Sequence, residues 1–416
     1  MSGAAQPSRL VESRLVLKAI VVVCAFLALV SAVLFQAPGL LGRDKVLTDF
    51  DAFYIAGTMA GRGKAGQSYQ AADMMAEQQA TYNTTSFMPW TYPPPYTLFM
   101  QGLARLPIGI AYLLFITVSF VFYLAVLRRI AGSYLPGVLI AIAPTLILTV
   151  RTGQNGFLTG GLVGWFLWSF IRHRAVAGVP LGLMVLKPHL AFGIALLALL
   201  GRRWKAMAIA AGIVATALLA ATASFGLGIW AAFLGGVREA GEFLAAGYYP
   251  LFRMTSVYAC IRAAGGSAPL ALSLHAAGAL AAAGLLLYAW WRGYEARFLA
   301  AIACVASLFI SPYNYDYDLM IFGVALAFML PDLIERARPY ELAGMLLLSW
   351  LITGYGFATN VLGEVTTTGL ATLKETSDYL SVTGPLLLIL IALAWTILRR
   401  PPGFAREETE SRAWAA

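Results

Sequence analysis

The run VLKAIVVVCAFLALVSAVLFQ, residues 16–36, decides the fold class. Lys18 near its start is its only charge. A helix needs about 20 apolar residues to cross the hydrocarbon of a bilayer, and this run supplies them. Comparable runs recur along the chain, and no segment alternates at the strand period of a membrane barrel. Of 416 residues, 60% are hydrophobic and 12% charged, where a soluble domain carries about a quarter charged residues. Mean hydropathy is +0.75. The class expected is an all-α integral membrane protein. Arg9, Arg14 and Lys18 in front of the apolar run resemble the basic region of a signal peptide. The run is long, however, and no small-residue cleavage pattern ends it, so it reads as an uncleaved first helix.

The net charge of +9 does not call for a nucleic-acid partner, because short cytoplasmic loops of membrane proteins collect Lys and Arg. Basic clusters stand at Arg9/Arg14/Lys18, Arg128/Arg129, Arg172/Arg174, Arg202/Arg203/Lys205, Arg292/Arg297, Arg336/Arg338 and Arg399/Arg400, with Arg406 and Arg412 in the tail. Placing all of these inside predicts spans near 16–36, 110–127, 134–150, 156–171, 206–224, 269–291, 297–310, 319–335, 340–357 and 382–398. Segment 175–200 has basic residues at both ends and Lys187-Pro188-His189 in its middle. It must leave and return as two short helices breaking at Pro188. The bundle then has about ten to twelve transmembrane helices, some short or broken. Residues 1–400 read as a single transmembrane domain, with 37–109 and 225–268 as large outer loops and 401–416 as a disordered cytoplasmic tail.

This topology sends the chemically rich segments to one outer face: LTDFDAFYIAG (47–57), RTGQNG (151–156), the KPH break, YYPLFR (248–253), SPYNYDYD (311–318) and 358–380. The inner loops are short and basic. A transporter needs polar groups near the midplane and access from both sides, whereas an enzyme working at the surface needs one equipped face.

Each segment has a plain structural reading beside a functional one. In TDFD, Thr48 can cap a helix and Asp51 occupies the capping-box position. Side chains two apart on a helix point about 200° from each other, so one acid is expected to be structural and the other chemical. Ser68–Tyr82 predicts an interfacial helix with Met74 and Met75 on its apolar side. Pro93, Pro94 and Pro95 predict an extended path; Trp90 reads as an interfacial anchor, and Tyr92 and Tyr96 as anchors or sugar-stacking rings. Arg151, Gln154 and Asn155 offer donors suited to phosphate or sugar hydroxyls, or simply form a turn. Lys187 and His189 at a helix break inside an apolar segment are costly unless they face water, a partner or a ligand. Lysine is a compact charge suited to phosphate. SPYNYDYD brings Tyr313, Asn314, Asp316 and Asp318 to the outer end of a span, and Arg253 stands beside aromatics, placed for phosphate contact or cation–π packing. His173 and His275 read as incidental. Cys24, Cys260 and Cys304 have no metal or disulfide spacing, no HExxH, CxxC, GxSxG or P-loop pattern occurs, and neither metal nor cofactor is expected.

DFDAFYIAG, YPPPYTLF, GQNGFLTGGLVG, GVPLGLMVLKPHLAF followed by RRWK, and SPYNYDYDL occur in an order that resembles glycosyltransferase family 87, from residue 15 to about 330 and more weakly beyond 335. The resemblance implies the C-type glycosyltransferase fold and transfer of a sugar, mannose at family level, from a polyprenyl phosphate to a lipid or glycan acceptor. The active site would lie on the extracytoplasmic face of a bacterial inner membrane. The resemblance matches Asp49 to the family's catalytic base and leaves Asp51 as a possible second acid. Lys187 and His189 match its K-P segment. With Arg151 and Arg253 these are candidates for the donor phosphate; Tyr92, Gln154, Asn155, Tyr313, Asn314 and Asp316 are candidates for sugar and acceptor. The competing readings are a transporter or flippase of a lipid-linked sugar or anion, and a scaffold subunit for envelope assembly.

Overall fold

The computed structural model describes residues 8–41, 45–366 and 379–404. Segments 1–7, 42–44 and 367–378 and the tail from 405 onward lie outside the described residues. With them go the expected disorder of most of the tail, the cluster members Arg406 and Arg412, and most of the loop 358–380. The described chain is helical, without a strand. Its helices are α1 (Ser8–Val11), α2 (Arg14–Gln36), α3 (Asp49–Gly61), α4 (Ala71–Tyr82), α5 (Pro94–Leu103), α6 (Ile108–Ala131), α7 (Leu135–Ala141), α8 (Ala143–Thr152), α9 (Gly156–Ile171) and α10 (Gly178–Leu183). They continue as α11 (Phe192–Leu200), α12 (Trp204–Phe225), α13 (Gly228–Ala246), α14 (Val257–Ala263), α15 (Ala268–Trp291), α16 (Ala296–Phe309), α17 (Met320–Arg336), α18 (Pro339–Thr366) and α19 (Thr383–Leu398).

Among the described residues, six helical segments are long and apolar enough to cross a membrane: Arg14–Gln36, Ile108–Ala141, Trp204–Phe225, Ala268–Trp291, Asp316–Arg336 and Pro339–Thr359. Shorter apolar helices include Gly156–Ile171, Ala175–Leu186, Pro188–Leu200, Ala296–Phe309 and Thr383–Leu398. The protein is a multi-pass membrane protein. The break at Lys187-Pro188 falls where the sequence predicts it. The expected span 134–150 is instead two helices separated at Ile142, because Pro144 lacks the N–H that would continue the first helix and suits the first turn of the second.

Other differences lie in the connecting segments. The prolines at 93–95 open a helix: Pro93 is the extended N-cap of α5, and Pro94 and Pro95 lack N–H groups that would be unsatisfied there anyway. Residues 225–268 are mostly helical, as α13 and α14. In α4, Met74 is buried while Met75 is exposed, so the pair does not share one apolar face. Trp90 is buried rather than an interfacial anchor. Its indole donates to Thr97 Oγ1 at 3.0 Å, and Phe53 meets Trp90, Tyr92 and Tyr96 edge-on. That aromatic cluster locks α3 onto α5, with Gly57 of α3 seated directly against the Met100 carbonyl.

Two groups of the basic clusters meet within themselves. Arg297 and Arg336 share Asp332 (2.8 and 3.0 Å), Arg336 donates to Leu398 O at 2.7 Å, and Arg400 grips Glu341. Arg203 reaches His173 at 2.7 Å. Helix contacts within the bundle depend on small residues, as membrane packing does. A Cβ at Gly193 of α11 would overlap the Ala303 carbonyl of α16. Gly193→Ala must push these helices apart and is expected to cost about 1–3 kcal/mol. A lowered midpoint in thermal unfolding of detergent-solubilised protein checks it; an unchanged midpoint means that α11 and α16 do not meet this closely.

Candidate active site

The first outer segment folds locally as TDFD predicts. Asp51, fully buried, accepts from Thr48 N (2.9 Å) and Thr48 Oγ1 (3.1 Å) at the start of α3. Its other oxygen holds Lys45 Nζ at 2.5 Å, and that ammonium also lies 3.9 Å from the centroid of the Tyr82 ring. Asp51 is therefore spent on capping the helix and anchoring the entry chain. Asp49, two positions earlier, points elsewhere. The Gln154 side-chain amide, Arg253, Asp316 and Lys187 are its polar neighbours.

The amide orientation of Gln154 follows from its other contacts. Its Oε1 accepts from Asn155 N at 2.9 Å and from the Tyr92 hydroxyl at 3.3 Å. With the oxygen occupied twice, the nitrogen is the end still able to donate, and Asp49 is the carboxylate beside it. Gly153 makes this turn possible: its φ of +68° is left-handed, and a Cβ there would meet Phe50 Cβ at 2.5 Å.

Two ion pairs complete the cluster, one fully and one partly buried. Arg253 donates from Nε and Nη2 to Asp316, both at 3.1 Å, a bidentate fork. Thr145 Oγ1 donates to the Asp316 carbonyl at 2.7 Å. Lys187 Nζ donates to Asp318 Oδ1 at 2.6 Å and lies 4.7 Å from the Tyr317 ring centroid. Lys187 is 6% exposed and Asp318 fully buried. Segment 313–318 reaches this place because Tyr315 bridges to Met254 and Thr255 N donates to Asn314 O at 2.8 Å, tying it to the chain that carries Arg253.

Burial pushes the Asp49 carboxyl above the usual aspartate range; Arg253 and Gln154 pull it back, Asp316 raises it and Lys187 lowers it. Burial alone lowers the Arg253 guanidinium, but Asp316 and Asp49 more than reverse this, so it stays charged. Around these contacts, Lys187 and Arg253 face the carboxylates of Asp49, Asp316 and Asp318. The cations are thus held by acids, and an incoming anion must use their remaining donors. A lysine has three N–H donors and an arginine five.

The remaining candidates are placed less directly. The Arg151 guanidinium lies 5.5 Å from the Phe357 ring centroid. His189 follows Lys187 by two residues, and its buried Nε2 finds no hydrogen-bond partner among the described residues. The side-chain amide of Asn155 is likewise buried and unpartnered there. Tyr313 and Asn314 are engaged in holding the turn: Tyr313 donates to Ala240 O, and Asn314 Nδ2 to Leu308 O. Tyr315, Tyr317 and Asp318, to which the sequence reading gives no role, belong to the cluster. The signal for Asp318 was present: a lysine in an apolar segment needs a counter-ion, and few acids are available to supply it.

An apolar groove of about 240 Å³ runs between α5, the broken segment and α12. Pro95, Phe99, Leu186 and Ala217 are among its lining residues. Leu186 is the residue next to Lys187. Among the described residues, no group of three or more His, Cys, Asp and Glu is placed to hold a metal ion.

A family profile described as Glycosyltransferase family 87 matches residues 90–312. No curated protein and no solved structure matches the chain.

Proposed function

From the premise that the chain belongs to glycosyltransferase family 87, and so is a membrane glycosyltransferase, we propose that it moves a sugar from a polyprenyl-phosphate donor to a lipid or glycan acceptor with Asp49 as general base. The observation that carries this reading is one arrangement: an unspent carboxylate, Asp49, beside the paired cations Lys187 and Arg253, with an apolar groove lined in part by Leu186, the chain neighbour of Lys187. The groove suits a hydrocarbon tail and the cations suit its phosphate. We assign the sugar as mannose and the working face as extracytoplasmic, in a bacterial plasma membrane, on the distribution of basic clusters and the family resemblance.

In the proposed step the acceptor hydroxyl attacks the anomeric carbon and Asp49 takes its proton. The bond from that carbon to the phosphate oxygen breaks, and the phosphate leaves with the electron pair. Lys187 and Arg253 stabilise the charge gained by the leaving group through donors their carboxylates do not use. Phosphate is a good leaving group, so no strong general acid is required. Direct displacement inverts the anomeric configuration, through a transition state with oxocarbenium character. Gln154, fixed by Tyr92, aims the base. A transporter would also use a broken segment bearing Lys187, but it has no need of a carboxylate oriented by an amide.

Incubating the purified protein with a panel of polyprenyl-phosphate sugars and membrane lipid extract, with products read by mass, tests the proposal. A new glycosylated product supports it. Movement of the lipid-linked sugar across a vesicle bilayer with no glycosidic product favours the transporter.

The pH profile gives a second test. A base must be ionised, and burial holds the Asp49 carboxyl above the ordinary aspartate range. The rate should therefore fall on the acid side through an ionisation lying above that range. An acid limb at an ordinary aspartate value would place the base in water rather than in this cluster.

A further inference from the structure

α18 lies beyond residues 90–312 that match the family profile, yet it touches the site. Gly356 packs its Cα face against the Arg253–Asp316 fork. A Cβ there would stand 2.5 Å from Asp316 Oδ2, 3.2 Å from Arg253 Cα and 3.4 Å from Arg253 Cγ. The next residue, Phe357, lies under the Arg151 guanidinium. Glycine is a poor residue inside a helix, so this position calls for a reason. Gly344, on the same helix, has open space where its Cβ would be.

We infer that Gly356 is a positioning residue for the proposed transfer: having no side chain, it lets the Asp316 carboxylate lie flat against α18 and keeps Arg253 aimed at the donor phosphate. The inference rests on the reading given above. A methyl group at 356 cannot be absorbed by Arg253, whose contact there is partly backbone. It must displace the carboxylate, which is held from its other side by the guanidinium and by Tyr317 N at 3.0 Å. The fork then opens or rotates, and the donors Arg253 keeps for an anion turn with it. A shift on the ångström scale at a positioning group costs about a hundredfold in rate.

The test uses the full chain with a donor already shown to be transferred. In Gly356→Ala, kcat/KM for the donor should fall about a hundredfold, largely as a raised donor KM, with acceptor KM unchanged. Gly344→Ala should leave both constants as they are. A donor KM at the wild-type value in Gly356→Ala overturns the inference while leaving the reading of the site intact. Melting temperatures supply an arm that needs no activity. Asp316→Ala removes the atoms the methyl would strike, so adding Gly356→Ala to it should lower melting far less than in the wild-type background. Full additivity of the two losses also overturns the inference. If Gly356→Ala alone does not fold, recovery of folding in the double variant supports it, and failure to recover counts against it. A wild-type protein inert with every donor would defeat the reading of the site, and the coupling measured by melting would still stand or fall separately.

Discussion

Asp49→Asn is expected to reduce glycosyl transfer by about a thousandfold or more, as removal of a general base does, and to leave the protein at least as stable. The stability sign follows from linkage. The folded pKa of Asp49 is raised, first by burial. A raised carboxyl contributes stability that is fully present below the unfolded value and is lost as pH rises through the folded value. At neutral pH the ionised carboxylate is thus a cost to the fold, and an uncharged asparagine removes it. Asp51→Asn should do the reverse. It weakens a helix cap and strips Lys45 of its carboxylate, a loss of about 1–3 kcal/mol, while any protein that folds should still transfer sugar. Activity and thermal midpoints of the two variants, measured side by side, separate a chemical acid from a structural one. Undiminished transfer by Asp49→Asn would end the assignment.

The contrast between these acids also shows what a sequence can carry. Capping chemistry is local, so TDFD announced a helix start and required that one acid be spent there. Which acid remained for chemistry followed from the 200° separation only together with the family resemblance. The spans were legible because length and basic flanks are set by the bilayer, and the turn at Lys187-Pro188 was legible because proline there coincides with a lysine and a histidine that an unbroken apolar helix would have to bury, whereas Pro331 stays inside α17. Pro93–Pro95 misled because the same missing N–H that stops a helix also suits its first turn, and only the downstream residues decide between the two. Helix α13 carries a helical apolar period, with Ile229, Gly236, Ala240 and Leu244 buried at helical spacing, and reading 225–268 only as an outer loop passes over it; α14 is too short, at Val257–Ala263, to show one. Long-range partners were least visible. Nothing near residue 187 names Asp318, and nothing near residue 356 names Asp316; these pairings exist only once the helices are packed. A single requirement, that a buried ammonium needs a carboxylate, would have narrowed the first of them.

The Lys187–Asp318 pair carries the second large effect. Lys187→Met leaves Asp318 fully buried, with Tyr315 N at 3.3 Å among its donors and no ammonium. Breaking a buried pair from one side costs about 3–5 kcal/mol, because the remaining charge stays desolvated. Asp318→Asn should be costly for the matching reason, leaving the lysine facing the Tyr317 ring without its carboxylate. The double variant Lys187→Met/Asp318→Asn removes both charges, and asparagine can still accept from Tyr315 N, so most of the lost stability should return. Activity should not return with it. If Lys187 receives the donor phosphate through its spare N–H donors, the stable double variant remains inactive, and its donor affinity falls. If Lys187 served only to neutralise Asp318, the double variant would transfer sugar at near the wild-type rate. Stability alone cannot distinguish these cases, since both predict recovery. The distinction lies in whether folding and transfer recover together, and thermal unfolding and product formation measured on the same three preparations decide it.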